Sequence, residues 1–186
     1  MAKTFRVALA LTVVCGVAAL ALSVVYVVTK ERIAEEAKIE LNEALVAVFP
    51  GGGSFIPIDL STLAPLPESK ELQFLEAYEV TRDGKRQGFV IKASSAGYGG
   101  PIILLIGVDT EKGVLTGIRV LEHQETPGLG SNVAEEAFLS QFRGKSLTDP
   151  FTIGEDVQTI SGATISSRAV IRACVKVAEL LRGEGQ

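Results

Sequence analysis

The spacing of hydrophobic and polar positions changes several times along the chain, and each change marks a predicted element. From Val7 to Val28 no side chain is charged, a run of about 22 residues. At ~1.5 Å per residue, a helix of that length crosses a hydrocarbon core of about 30 Å. The pattern therefore predicts a retained transmembrane helix over 7–28, preceded by a short basic tail, residues 1–6. A cleaved signal peptide is the alternative, but its apolar core would be shorter. From Thr29 to Phe49 the pattern turns amphipathic. Ile33, Ala37, Leu41, Ala44, Leu45 and Val48 form one stripe among Glu and Lys, which predicts a linking helix over 29–50. Pro50-Gly51-Gly52-Gly53-Ser54 ends it, and Phe55 to Lys70, which holds three prolines, reads as irregular.

Beyond Leu72 the elements become strands. Leu75–Thr81 and Gln87–Ala93 flank Asp83-Gly84, a hairpin-turn pair. Ile102–Asp109 is a continuous apolar run, as expected of a buried central strand. Glu111-Lys112-Gly113 turns the chain, and Val114–Glu122 returns. Asn132–Phe142 predicts a short amphipathic helix with Val133, Ala137, Phe138 and Phe142 on one side. Phe151-Thr152-Ile153 is strand-like, and a long apolar-periodic run to Leu181 predicts a final helix from about Ser166. A block of strands with helices outside it gives an α+β class: an antiparallel sheet of at least four strands with packed helices, behind an N-terminal transmembrane helix.

Composition narrows the function. The 186-residue chain has a net charge of −4, so it carries no basic footprint for nucleic acid. Two cysteines are too few for a disulfide framework, and a single histidine builds no zinc site. Cys174 falls in step with Val170, Val177 and Leu181, as a buried structural thiol would. Lys3 and Arg6 on one side of the apolar run nearly balance Lys30, Arg32 and Lys38 on the other, so the positive-inside rule leaves orientation open. No Ser-based triad, Cys/His pair or paired carboxylates stand out for hydrolysis or group transfer.

The stretch that invites chemistry is Ser161-Gly162-Ala163-Thr164-Ile165-Ser166-Ser167, which feeds the last helix. Small residues at a helix start leave backbone N–H groups open to an anion, with the positive end of the helix dipole behind them. Ser161, Thr164, Ser166 and Ser167 add hydroxyls. An ordinary N-cap uses the same residue types. Glu125-Thr126-Pro127-Gly128-Leu129-Gly130 is a second loop, in which Leu129 could serve as a platform for a flat ring; an ordinary Pro-Gly turn is the alternative. Tyr98-Gly99-Gly100 is a third loop, and Tyr98 either borders a ring or is a half-buried turn residue. His123 lies at a strand end, where a surface or packing role is more usual than a proton relay.

The Ser-Gly-Ala-Thr stretch with Ile165-Ser166-Ser167 resembles the flavinylation motif of the FMN-binding domain family, in particular the G subunits of ion-translocating ferredoxin:NAD oxidoreductase (Rnf) complexes. Tyr98–Ile102, His123–Gly130 and Phe138–Lys145 resemble further family patterns and occur in family order. Many members carry Asp three residues before the motif serine, where this chain has Gln158. The resemblance implies an extracytoplasmic FMN-binding domain over residues 51–186, anchored by one helix in the cell membrane. It implies FMN in phosphoester linkage to Thr164, with Ser161, Gly162, Ala163, Ser166 and Ser167 around the phosphate. Glu125, Thr126, Gly128, Leu129, Tyr98 and Gly99 would line the flavin or fix its loops. The implied partners are other membrane and redox subunits of the complex and a flavin transferase that uses FAD and Mg²⁺. Two alternatives are the C-type component of the Na⁺-translocating NADH:quinone reductase and a non-catalytic membrane-anchored assembly module.

Overall fold

The computed structural model describes residues 2–63 and 70–182. Part of the stretch predicted to be irregular, 64–69, and the first residue of the predicted tail lie outside them. Helix α1 spans Ala2–Val48, so the predicted tail, membrane and linking segments are one continuous helix. Its Phe5–Val48 portion is the single helix among the described residues long and apolar enough to cross a membrane, with a mean hydropathy of 2.5 over its most apolar 18 residues. Phe5, Val14, Leu20 and Val28 are all exposed, as in a helix that is apolar all round.

The chain divides into two compact units, residues 1–42 and residues 43–186. The second unit is built on a five-stranded antiparallel sheet whose strand order follows the chain. The strands are β1 (Ser54–Ile58), β2 (Leu72–Arg82), β3 (Lys85–Ala96), β4 (Pro101–Asp109) and β5 (Val114–Glu122). Asp83 and Gly84 both take positive φ, 52° and 72°, the type I′ geometry that an Asp-Gly pair favours. β1 falls where an irregular segment was expected. It is an edge strand pairing Ser54 with Thr81 through Ile58 with Ala77, and an edge tolerates Pro57, which has no N–H to offer a ladder.

A 3₁₀ turn (Gly130–Ala134), helix α2 (Glu136–Leu139) and a second 3₁₀ turn (Ser140–Phe142) replace the expected helix over 132–142. Glu135, with ψ at 142°, is extended and breaks the run. Val133, Phe138 and Phe142 are buried as expected, whereas Ala137 faces solvent and Leu139 takes the inward position. Phe151–Ile153 forms no strand, since only an isolated bridge joins Ile153 to Val157. Helix α3 spans Thr164–Leu181, starting two residues earlier than the periodicity indicated.

α3 lays Val170, Cys174, Val177 and Leu181 on the core, with Ala169, Ala173 and Ala178 between them. Against them stand Phe89, Ile91 and Ala93 of β3 and Leu104, Ile106 and Val108 of β4. The opposite face of β4 is covered too. Residues 44–49 bring Ala44, Leu45, Val48 and Phe49 into burial, and Thr116 donates its hydroxyl to Val48 O at 2.5 Å. Gly107 and Gly117, paired across β4 and β5, make that approach possible. A Cβ on Gly107 would stand 2.4 Å from Val48 O. Two covered faces explain why β4 is a continuous apolar run.

Candidate functional site

Three loops meet at one end of the sheet: residues 97–100 between β3 and β4, residues 123–130 after β5, and residues 160–163 leading into α3. The side chain that joins them is Glu125, which is only 5% exposed. Its Oε1 accepts hydrogen bonds from the backbone N–H of Tyr98 (2.8 Å) and of Gly99 (3.1 Å). Its Oε2 accepts from the Ser166 hydroxyl at 2.7 Å. The carboxylate is walled by glycine on both sides. A Cβ on Gly97 would come within 2.2 Å of Oε1, and one on Gly130 within 2.4 Å of Oε2. The His123 Nδ1 accepts from the Glu125 N–H at 3.3 Å.

The start of α3 has no side-chain cap. Its N-cap position is Ala163, at φ −130° and ψ 35°. The first helical amide with a backbone acceptor is that of Ser167, bonded to Ala163 O at 2.9 Å. Among the described residues, the amides of Thr164, Ile165 and Ser166 have no hydrogen-bond partner. The serines that would serve an N-cap are engaged elsewhere. The Ser167 hydroxyl donates to Ala163 O (2.9 Å) and accepts from Ile160 N–H (3.0 Å), while that of Ser166 holds Glu125. Both are buried, so the hydroxyls expected to face a phosphate are turned inward to fix the turn. Thr164, by contrast, is exposed, and its hydroxyl makes no hydrogen bond among the described residues.

These pieces enclose a cleft of about 310 Å³ lined by Tyr98, Glu125, Thr126, Leu129, Gly130, Gly162, Ala163, Thr164, Ile165 and Ser166. Seven of the other predicted site residues therefore share one cavity wall with Thr164: Tyr98, Glu125, Thr126, Leu129, Gly162, Ala163 and Ser166. Gly99 contributes its N–H to Glu125 rather than a surface to the cleft. Ser161, Ser167 and Gly128 do not line it; Gly128, at φ +75°, shapes the turn that carries Leu129. Gly130 and Ile165 were not among the predicted residues. Ile165 could have been singled out as a large apolar residue in a helix's first turn beside small polar ones.

The lining suits a flat aromatic ring with a phosphate tail. Tyr98 (74% exposed), Leu129 (49%) and Ile165 (53%) offer solvent-facing apolar surface around the cleft mouth. Gly162 and Ala163 keep the turn free of bulk, and the three open amides of α3 supply donors where an anion would sit. Among the described residues no Lys or Arg lines the cleft, so an anion here would rely on the amides and the helix dipole.

Comparison with known proteins agrees with this chemistry. The FMN-binding domain family matches residues 97–179, which include all three loops. The G subunit of the ion-translocating oxidoreductase complex of Pseudomonas aeruginosa is 36% identical over 169 residues, covering 80% of this chain and 74% of the relative. The G subunit of the Na⁺-translocating ferredoxin:NAD⁺ oxidoreductase complex of Acetobacterium woodii is 32% identical over 180 residues, covering 89% and 86%. Among solved structures, the C-type component of the Na⁺-translocating NADH-quinone reductase of Parabacteroides distasonis is 25% identical, with a TM-score of 0.46 over 58% of this chain and 62% of that one. The chain belongs to the family of G subunits of ion-translocating oxidoreductase complexes.

Proposed function

We propose that this chain is the membrane-anchored, FMN-carrying electron-transfer subunit of an ion-translocating ferredoxin:NAD oxidoreductase (Rnf) complex, with the flavin joined through its phosphate to the Thr164 hydroxyl. The observation that carries the reading is the uncapped start of α3. An unbonded Thr164 hydroxyl and three open amides stand in a cleft with an apolar mouth, inside the span matched by the FMN-binding domain. FMN held there supplies one-electron chemistry. The chain's own residues do the rest. Thr164 offers the oxygen for attachment, the amides of residues 164–166 hold the phosphate, and Tyr98, Leu129 and Ile165 give the ring apolar surface. Attachment would be made by a flavin transferase using FAD and Mg²⁺. The bond from Thr164 Oγ1 to phosphorus forms, the diphosphate of FAD breaks, AMP leaves, and the hydroxyl proton is lost. α1 would cross the cell membrane once, and the domain would stand on the extracytoplasmic side among the other redox and membrane subunits.

The test is Thr164→Val, expressed with an active flavin transferase. The change is nearly isosteric at a hydroxyl with no partner, so stability should stay within ~0.5 kcal/mol. The denatured wild-type chain should carry the mass of FMN less water on the peptide containing Thr164, and the variant should carry none. A variant that retains flavin through denaturation would refute the attachment. A wild type left unmodified by a transferase shown active on another substrate would favour an assembly module.

A further inference from the structure

Among the described residues, Glu125 is the one carboxylate on the cleft wall, and no Lys, Arg or His forms an ion pair with it. All three of its partners are donors: two backbone amides and a serine hydroxyl. Each of the three can donate to the carboxylate. Burying a charge without a counterion is costly unless hydrogen bonds compensate. Here the fold supplies those bonds and clears the space with glycines at 97 and 130. The arrangement keeps a negative charge without a counterion in a place where a neutral amide oxygen could accept the same two backbone hydrogen bonds.

We propose that Glu125 is a positioning residue whose fixed charge lowers the reduction potential of flavin held in this cleft, while its three hydrogen bonds lock the Tyr98 loop to the first turn of α3. The proposal rests on the flavin-carrier reading above. A flavin that takes up one electron gains negative charge, with no heavy-atom bond formed or broken. A buried carboxylate on the same cleft wall opposes that gain, and the low local dielectric strengthens the effect. The consequence is a flavin biased toward passing its electron on.

Glu125→Gln separates charge from geometry. The amide oxygen still accepts from the Tyr98 and Gly99 amides, and the NH₂ group donates to the Ser166 oxygen, which has lone pairs free to accept. Ser166→Ala does the reverse, keeping the charge and removing a donor that offsets it. The experiment is a dithionite titration at pH 8, followed by absorbance, of the full chain made with its transferase, after flavin loading is verified by the mass of the denatured protein. Glu125→Gln should raise the first-electron potential by at least tenfold in the equilibrium constant, 59 mV for a one-electron couple, and Ser166→Ala should lower it. A purely structural role would move both variants in the same direction, and that result overturns the proposal. A loaded Glu125→Gln protein with an unchanged or lowered potential overturns it too. If Glu125→Gln carries no flavin, Ser166→Ala decides: a lowered potential supports the proposal and any other result overturns it. A wild-type chain that takes no flavin overturns the carrier reading and, with it, this proposal; the other failures leave the carrier reading standing.

Discussion

Gly130→Ala puts the geometry around Glu125 under direct test. The φ of Gly130 lies outside the left-handed region, so the backbone accepts alanine and the cost is steric. The new methyl would stand 2.4 Å from Glu125 Oε2 and 2.9 Å from both Glu125 Cβ and Ser166 Oγ, closer than real Cβ contacts come. Relief requires the carboxylate to swing away. That gives up at least the Ser166 bond and weakens the two amide bonds, and a hydrogen bond to a charged group is worth ~1.5–3 kcal/mol. A loss of about 3 kcal/mol is expected. At ~3 °C per kcal/mol for a unit of this size, the midpoint of thermal unfolding should fall by about 10 °C. The assay is thermal unfolding of the detergent-solubilised chain by circular dichroism, with Gly130→Ala made in the wild type and in a Glu125→Ala background. Without the carboxylate the main clash is gone, so the cost of the methyl should fall by at least half. Equal cost in the two backgrounds would refute the claim that Gly130 is glycine on account of Glu125.

Ser167→Ala should destabilise the chain by ~1–2 kcal/mol, because it leaves the Ile160 N–H without its acceptor and frees the turn ahead of Thr164; an unchanged unfolding midpoint would contradict the bonding described. Burial pushes the Cys174 thiol well above the ordinary cysteine range. Iodoacetamide at pH 8 should therefore leave the peptide containing Cys174 unmodified in the native chain and alkylate it after denaturation, as read by mass spectrometry; native alkylation would mean that α3 is not packed as described.

How much of this could be read from the sequence follows from how local each signal is. The Asp83-Gly84 turn, the buried central β4 and the apolar stripe of α3 are patterns within one element, and they stand where the spacing placed them. β1 was hidden by Pro57, which argues against a strand until the edge position is known. The break at Glu135 depends on tertiary packing that lets Leu139 replace Ala137 in the core. At the cleft, the motif marked Thr164 and its neighbours, and the loops carrying Tyr98 and Leu129 were visible as loops. The inward turn of Ser166 and Ser167 was not, because capping, phosphate binding and internal bonding all use the same hydroxyl. Nor could the sequence tie Glu125 to the amides of Tyr98 and Gly99, since backbone donors leave no residue signature at a distance.

From β2 to β5 the sheet neighbours are chain neighbours joined by short turns, so each hairpin can zip onto the one before it. The cleft obeys the opposite rule. Its walls come from Tyr98, from the loop around Glu125 and from the start of α3, and they meet only when the last helix docks on the finished sheet. The turn that carries Thr164, the proposed attachment site, is thus complete only when α3 is docked on the sheet. An enzyme that reads the completed turn, rather than the bare peptide, would modify only chains that had already folded, and the yellow colour of the product would then record that folding had succeeded.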